Sequence, residues 1–477
     1  MHRVWLLSLV SAACASAPSY RASEVPVPQA FRETRDTIIP VSDTGTAVAD
    51  TGSWRNVGDS TLSRLINEAV RANFDVRAAE ARVRGARSAR TEAAFDLAPT
   101  VTFQGGYTRQ RISSASFPIT EGTFPDQSIW DGGFDASWEL DLFGRVRRNV
   151  QAQGAFVAVN QEDLRNVRVS LTAELARAYF DLRGAQEQLS VARRNATNQQ
   201  QTLTVTRQRL DAGRGTAFDT ERAQAQLSTT LATVPLLEAR VRQAQYQIGV
   251  LVGRPPASVA KELDAVAPLP ILPATVSLAS PDSIVRRRPD VAAAERQLAV
   301  QRALVGAAKA DYLPRVSVGG SAGYSAATFG GLGDQGTFRY AVGPIITWPA
   351  LNLGRVKARV DATRARETEA RAQYDQTVLL AVADIESALV RYRTSRSRVE
   401  RIRDAASASE RAADLARLRF AGGVADFLQV LDAERTQLEA QDQLAQGHTD
   451  AATAYAALFK ALGGTWPAGS AVEAKPE

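Results

Sequence analysis

The chain repeats itself. "WELDLFGRVR" runs from Trp138 to Arg147 and "WPALNLGRVK" from Trp348 to Lys357; the offset, Gly144 to Gly354, is 210 residues. Three further blocks recur in the same order. "FDVRAAEARV" (Phe74 to Val83) returns as "PDVAAAERQL" (Pro289 to Leu298), and "FDLAPTVTFQGGYT" (Phe95 to Thr108) as "ADYLPRVSVGGSAGYS" (Ala310 to Ser325). "RQRLDAGRGTAFDTERAQ" (Arg207 to Gln224) returns as "RLRFAGGVADFLQVLDAE" (Arg417 to Glu434). Four blocks in one order mean duplication, so whatever one half builds the other builds again. The organisation read from this is a leader over 1–13, an extended segment over 14–57, and a first copy over 58–252. A Pro-rich extended connector over 253–281, a second copy over 282–463 and a tail over 464–477 follow.

Each copy carries two segments of period two. Trp130, Gly132, Phe134, Ala136, Trp138 and Leu140 alternate with Asp131, Asp135, Ser137 and Glu139. The matching segment sets Phe338, Tyr340, Val342, Ile346 and Trp348 against Arg339, Gly343 and Thr347. Val101, Phe103 and Tyr107 alternate earlier, as do Val316, Val318, Ala322 and Tyr324. Alternation over about ten residues with aromatics near the ends fits strands of a membrane barrel; a half-buried soluble sheet alternates too. Four strands cannot close a barrel, and an open edge cannot face lipid. Three chains would supply twelve.

The rest reads as helix. From Gly144 to Leu210 there is no Pro, and such a helix would span about 100 Å. Leu164, Val167, Leu171, Leu175, Ala178, Leu182, Ala185, Leu189, Ala192 and Ala196 fall in steps of three and four, a coiled-coil seam. A weaker seam follows in the second copy: Ile385, Ala388, Tyr392, Val399, Ile402, Ala406, Ala413, Ala416 and Phe420. "DAGRGT" (Asp211 to Thr216) and "AGGVAD" (Ala421 to Asp426) are the stops, with Thr216 and Asp426 as caps of the returning helices. The repeated Trp phrase is then a strand-to-helix joint. Trp138 and Trp348 are its membrane-interface aromatics, and Gly144 and Gly354 its flexible points. Arg145 and Arg355 either meet acidic groups at the membrane edge or are solvated helix residues.

Catalytic chemistry has little to work with. The only histidines are His2 and His448 and the only cysteine is Cys14; no phosphate loop, dinucleotide glycine pattern or His-Glu-x-x-His occurs. Net charge is +6 without a basic block, which argues against nucleic acid. No run of about 20 apolar residues spans a bilayer as a helix. The start, His2-Arg3 followed by apolar Val4 to Val10 and small residues up to Cys14, reads as a secretory leader. Cys14 after "VSAA" resembles the acceptor of a bacterial lipoprotein signal, although Ser11 stands where Leu is usual. Ordinary cleavage near Ala15 or Ala17 is the alternative.

The blocks "FDASWELDLFGRVR", "LLEARVRQAQYQIGVLVGRPP", "RRRPDVAAAERQLA", "AKADYLPRVSVGGSAGYS" and "AGGVADFLQVLDAERTQL" closely resemble the TolC-type outer-membrane efflux channels, in the lipoprotein branch typified by OprM and NodT. They cover most of the chain from about Leu62 to Leu462. The resemblance implies a mainly α chain with membrane β-structure: a homotrimer with a 12-stranded barrel in the outer membrane and an α-helical barrel through the periplasm. It implies no enzyme activity and no cofactor. The partners would be outer-membrane lipids, a periplasmic adaptor and an inner-membrane pump, of the resistance-nodulation-division type for small-molecule efflux. The same duct could serve protein secretion or metal export, and a pore-free coiled-coil envelope protein is the alternative of another class. The family's periplasmic gate maps onto Leu428, Asp432 and Arg435. Its adaptor-docking tips map onto Gly213, Arg214, Gly215, Gly422, Gly423 and Val424. The first copy has Phe218 and Arg222 at the Leu428 and Asp432 positions, so only the second hairpin reads as a gate. If Cys14 is acylated, Cys14→Ser removes the lipid and the mature mass falls accordingly; an unchanged mass refutes acylation.

Overall fold

A computed structural model describes residues 28–32, 38–40, 54, 57–113, 125–272, 276–278 and 280–464. Cys14, the leader and the tail after 464 lie outside these. The first copy runs α1 (Ser60–Ala72), α2 (Phe74–Phe95), β2 (Thr100–Gln110), β3 (Gln127–Leu140), α3 (Arg145–Asp211) and α4 (Ala217–Leu251). The second runs α6 (Pro281–Arg287), α7 (Pro289–Ala310), β5 (Arg315–Ala326), β6 (Phe338–Thr347), α8 (Leu353–Ala421) and α9 (Phe427–Ala461). Two helices, not the one expected, therefore precede each strand pair. Asn73 breaks the first pair and caps α2 by accepting the Asp75 amide at 2.8 Å. Arg288 breaks the second.

The connector is not uniformly extended. Pro256–Glu262 forms α5, with Pro in its first turn and Val259 and Ala260 buried. Val276–Leu278 (β4) pairs in parallel with β1 (Ile38–Pro40), an N-terminal segment. Prolines restrict the backbone, but apolar residues between them still find a surface to cover.

The sheet has the order β2-β3-β5-β6, antiparallel throughout. Its register puts the two alternating patterns on opposite faces. Phe103 pairs with Phe134, Phe134 with Ala322, and Ala322 with Tyr340. The apolar face is open in the single chain, with Phe103 65% and Tyr340 74% exposed. Asp131, Asp135, Ser321 and Arg339 lie on the other face, and Arg339 approaches Asp131 at 3.5 Å. On that polar face Gly133 pairs with Gly323. A Cβ on Gly323 would lie 2.5 Å from the Gly132 oxygen, and one on Gly133 2.7 Å from the Ala322 oxygen. At this pair the strands come too close on the polar face for any residue but glycine.

The two long helices hold 67 and 69 residues, each about 100 Å. The helices, the connector and Trp54 meet in one core beside the midpoint of α3. Trp54 packs on Phe459 at 4.6 Å and edge-on to Tyr455 at 6.0 Å, and Tyr179, Phe180, Leu182, Ile385 and Leu458 are sealed around them. Tyr179 donates to Asp59 at 2.6 Å, and the same carboxylate caps α1 at the Leu62 amide. Burial, aided by the Asp59 contact, pushes the Tyr179 hydroxyl up to about 12. Among the described residues no helix is long and apolar enough to cross a membrane.

Gly133→Val or Gly323→Val should cost about 1–3 kcal/mol and lower the melting temperature of the detergent-solubilised protein by several degrees. Gly106→Val, with nothing within 4 Å of its Cβ, should leave it unchanged.

Candidate functional site

The tips are the same turn built twice. Gly213 (φ 64°) and Gly423 (φ 76°) occupy left-handed conformations that glycine adopts without strain. The Arg214 amide returns to the Arg209 oxygen at 2.8 Å and the Val424 amide to the Arg419 oxygen at 2.9 Å, which closes both helix ends in the Schellman manner. Thr216 accepts the Asp219 amide at 3.1 Å and Asp426 the Gln429 amide at 3.0 Å, so both returning helices are capped. Gly213, Arg214, Gly422, Gly423 and Val424 face solvent; Gly215 is half-buried against the end of α3.

Leu428, Asp432 and Arg435 fall on one face of α9, the face left open in the single chain. Arg435 sits 3.8 Å from Asp432 and 3.7 Å from Glu439, all with side chains more than 60% exposed. Such loose, hydrated pairs contribute about 0–1 kcal/mol. The opposite face of α9 is buried through Phe427, Val430, Glu434 and Gln437. In the first hairpin the Arg222 guanidinium instead lies over the exposed Phe218 ring at 5.2 Å, so the two tips differ in surface chemistry.

Several arrangements around the tips escape sequence reading. One apolar cluster joins the two hairpins near their tips, with Leu203, Ala223 and Leu227 from the first and Phe420, Phe427 and Val430 from the second. Between the copies, below the core, α3 and α9 are tied by polar side chains. Glu187 faces His448 at 3.2 Å. Gln188 donates to Asp442 at 2.9 Å, Asn195 to Gln441 at 2.9 Å, and Thr202 to Glu434 at 2.6 Å. Gln188, Asn195 and Thr202 are seven residues apart, a heptad signal carried by polar types that an apolar-seam search passes over. At the tip, Arg209 donates to the Phe420 oxygen at 2.7 Å and covers its ring at 4.5 Å.

The strand-to-helix joints are also more than interface aromatics. The Trp138 indole donates to the Leu97 oxygen at 2.9 Å, and Trp348 to the Tyr312 oxygen at 3.1 Å. Each staples the end of a strand to the turn that launched its neighbour. Arg145 forms a two-point pair with Glu139 at 2.9 and 2.6 Å, which resolves its role at this joint. Asp141 accepts the Val146 and Arg147 amides and seats the start of α3. The second joint lacks both carboxylates, Pro349 and Leu351 standing in their places, and Arg355 is exposed. Gly144 has φ 81°, but Gly354 lies inside α8 in helical geometry. The flexible-glycine expectation therefore holds at the first joint and fails at the second, where Pro349 and Asn352 form the bend.

The profile of the family described as outer membrane efflux protein matches residues 65–254 and 281–464. The chain belongs to that family. Outer membrane protein OprJ of Pseudomonas aeruginosa is 29% identical, aligned over 97% of this chain and 95% of OprJ. The probable outer membrane lipoprotein SilC of Salmonella typhimurium is 28% identical over 98% of this chain and 100% of SilC. The structure of the outer-membrane channel OprN superposes with a TM-score of 0.87 at 36% identity, covering 95% of this chain and 100% of OprN. This outer membrane efflux protein is thus a channel component whose helical stalk extends into the periplasm. Its four-stranded sheet, two strands from each copy, is the membrane part.

Arg209→Ala should free the second turn by about 1–2 kcal/mol, a hydrogen bond to a charged donor plus a cation–π contact. Amide exchange of residues 420–426 should quicken roughly tenfold while that of the 175–185 core is unchanged.

Proposed function

We propose that three copies of the chain close one barrel and form the exit duct of a tripartite pump. The observation that carries this reading is the four-stranded sheet: one face apolar, the other polar, and, among the described residues, no strand paired to the outer edges of β2 and β6. Joining β6 of one copy to β2 of the next satisfies every edge. The polar face then lines the pore, and the long hairpins of three copies continue it across the periplasm as a helical tunnel. Cys14, outside the described residues, would anchor the mature N-terminus by acyl chains, each buried CH₂ contributing about 0.8 kcal/mol. The duct is passive: an inner-membrane pump of the resistance-nodulation-division type drives drugs or other toxic small molecules through it by way of a periplasmic adaptor. The family's membership of channels supports a role without catalysis.

The gate is assigned to Leu428, Asp432 and Arg435. Their open face on α9 is free to point at the threefold axis, where three Leu428 side chains make a dry constriction and three Asp432 carboxylates a cation-attracting ring. Arg435 braces Asp432. The tips around Gly213, Arg214 and Gly215 and around Gly422, Gly423 and Val424 are the docking surface for the adaptor. Exposed Arg214 on one and exposed Val424 on the other would give the partner a charged and an apolar contact.

Leu428→Ala combined with Asp432→Ala should raise single-channel conductance in planar bilayers and increase antibiotic leak into cells. Unchanged conductance in a correctly assembled double variant removes the gate from these residues. A photoreactive residue at Arg214 or Val424 should capture an adaptor together with a resistance-nodulation-division pump. Capture with an ATP-driven transporter instead would move the duct to secretion or export.

A further inference from the structure

The gate-bearing helix is held from behind by a buried carboxylate. Glu434 lies one residue from Arg435 and two from Asp432, but on the opposite face, and its side chain is 5% exposed. The Thr202 hydroxyl donates to it at 2.6 Å, a contact that favours the ionised acid. The nearest cation, Arg417, stands 3.9 Å away and is shared with Asp414 at 3.0 Å and Gln437 at 3.1 Å. The negative charge is therefore poorly compensated for its burial.

The duplication supplies an internal comparison. Arg207 and Gln224 in the first hairpin occupy the positions of Arg417 and Glu434, and Arg207 donates to Gln224 at 2.9 Å. The Arg contact is thus made by a neutral amide in an exposed pair in one copy and by a buried ionisable acid in the other. The surroundings of Glu434 are otherwise short of charge. From α3 comes the neutral Thr202; Gln199, three residues before it in the chain, is 3% exposed and makes no hydrogen bond. Arg209 of α3 is committed to the Phe420 oxygen, and α4 brings the apolar Ala223 and Leu227 to this cluster. Arg417 and Asp414 are the charged groups from α8, and Asp432 and Arg435 of α9 face away.

We propose that Glu434 is a proton-operated positioning residue for the gate: taking up a proton seats α9 against α3 and tightens the closed tip, and losing it loosens the tip. The inference rests on the gate reading given above. Burial, only partly opposed by Thr202 and Arg417, raises the Glu434 carboxyl above the ordinary value of 4.5. A group shifted upward stabilises the packed state fully below its ordinary value, and that contribution is lost as pH rises through the shifted one. Mild acid should therefore favour closure, and neutral or alkaline pH readiness to open.

The test is the conductance of the purified, assembled protein in planar bilayers between about pH 5 and pH 8, a range that brackets a raised carboxyl. Wild type should lose conductance toward acid by about threefold or more. Glu434→Gln, which copies the first hairpin and mimics the protonated acid, should sit at the low level throughout. Thr202→Val removes a partner that favours the ionised form and should move the wild-type midpoint to higher pH, a displacement that loss of packing alone would not produce. A flat wild-type profile, a Glu434→Gln profile with the wild-type pH response, or an unmoved midpoint in Thr202→Val overturns the proposal. If conductance still rises in the Leu428→Ala, Asp432→Ala double variant, the gate reading survives that failure.

Discussion

Inside a bilayer a backbone amide has no water to bond, so every strand edge must find another strand. That requirement governs the molecule. Four strands leave β2 and β6 each with a bare edge, and the chain is incomplete until other copies cover them. Closure in turn sets the circle on which the long helices stand, and the joints must deliver each helix at one angle. Hence the stapled indoles of Trp138 and Trp348 and, at the first joint, the Arg145–Glu139 and Asp141 contacts.

The stalk solves a different problem. A duct must hold its wall yet open at one end. Apolar residues of both hairpins pack into one cluster near the tips, and burying a side chain such as Leu203 there is worth about 1.5–3 kcal/mol. The Gln188, Asn195 and Thr202 contacts between copies are polar, and hydrogen bonds exchanged with water contribute only about 0.5–1.5 kcal/mol each. Polar contacts of this kind therefore run along the boundary between hairpins beside the residues assigned to the gate, together with the apolar cluster that joins the two tips.

Duplication made much of this legible before any coordinates. The alternating faces of the four strands, the stops at Gly213 and Gly423 and the caps Thr216 and Asp426 all follow from local rules of spacing and backbone conformation. The seam residues Leu171, Leu175, Ala178 and Leu182 are buried as their periodicity required. Less legible were the breaks at Asn73 and Arg288, the helix within the Pro-rich connector and the distinct second joint. Each depends on what a segment packs against, and proline or glycine content alone is a poor guide to that.

Read residue by residue, the chain already shows two matching halves, each with two half-apolar strands and one long hairpin, and four strands too few to close a barrel. Those conclusions need only periodicity, chain stiffness and backbone hydrogen bonding, which act over a few residues at a time. Packing in three dimensions is what brings Gln188, Asn195 and Thr202 of α3 against α9, makes Arg209 grip Phe420, and buries Glu434 while its neighbours Asp432 and Arg435 stay exposed. Those partners are more than 200 residues apart, and their meeting depends on how two hairpins rotate against each other. Rotation of packed helices is set by the sum of all their contacts, and no single stretch of sequence encodes it.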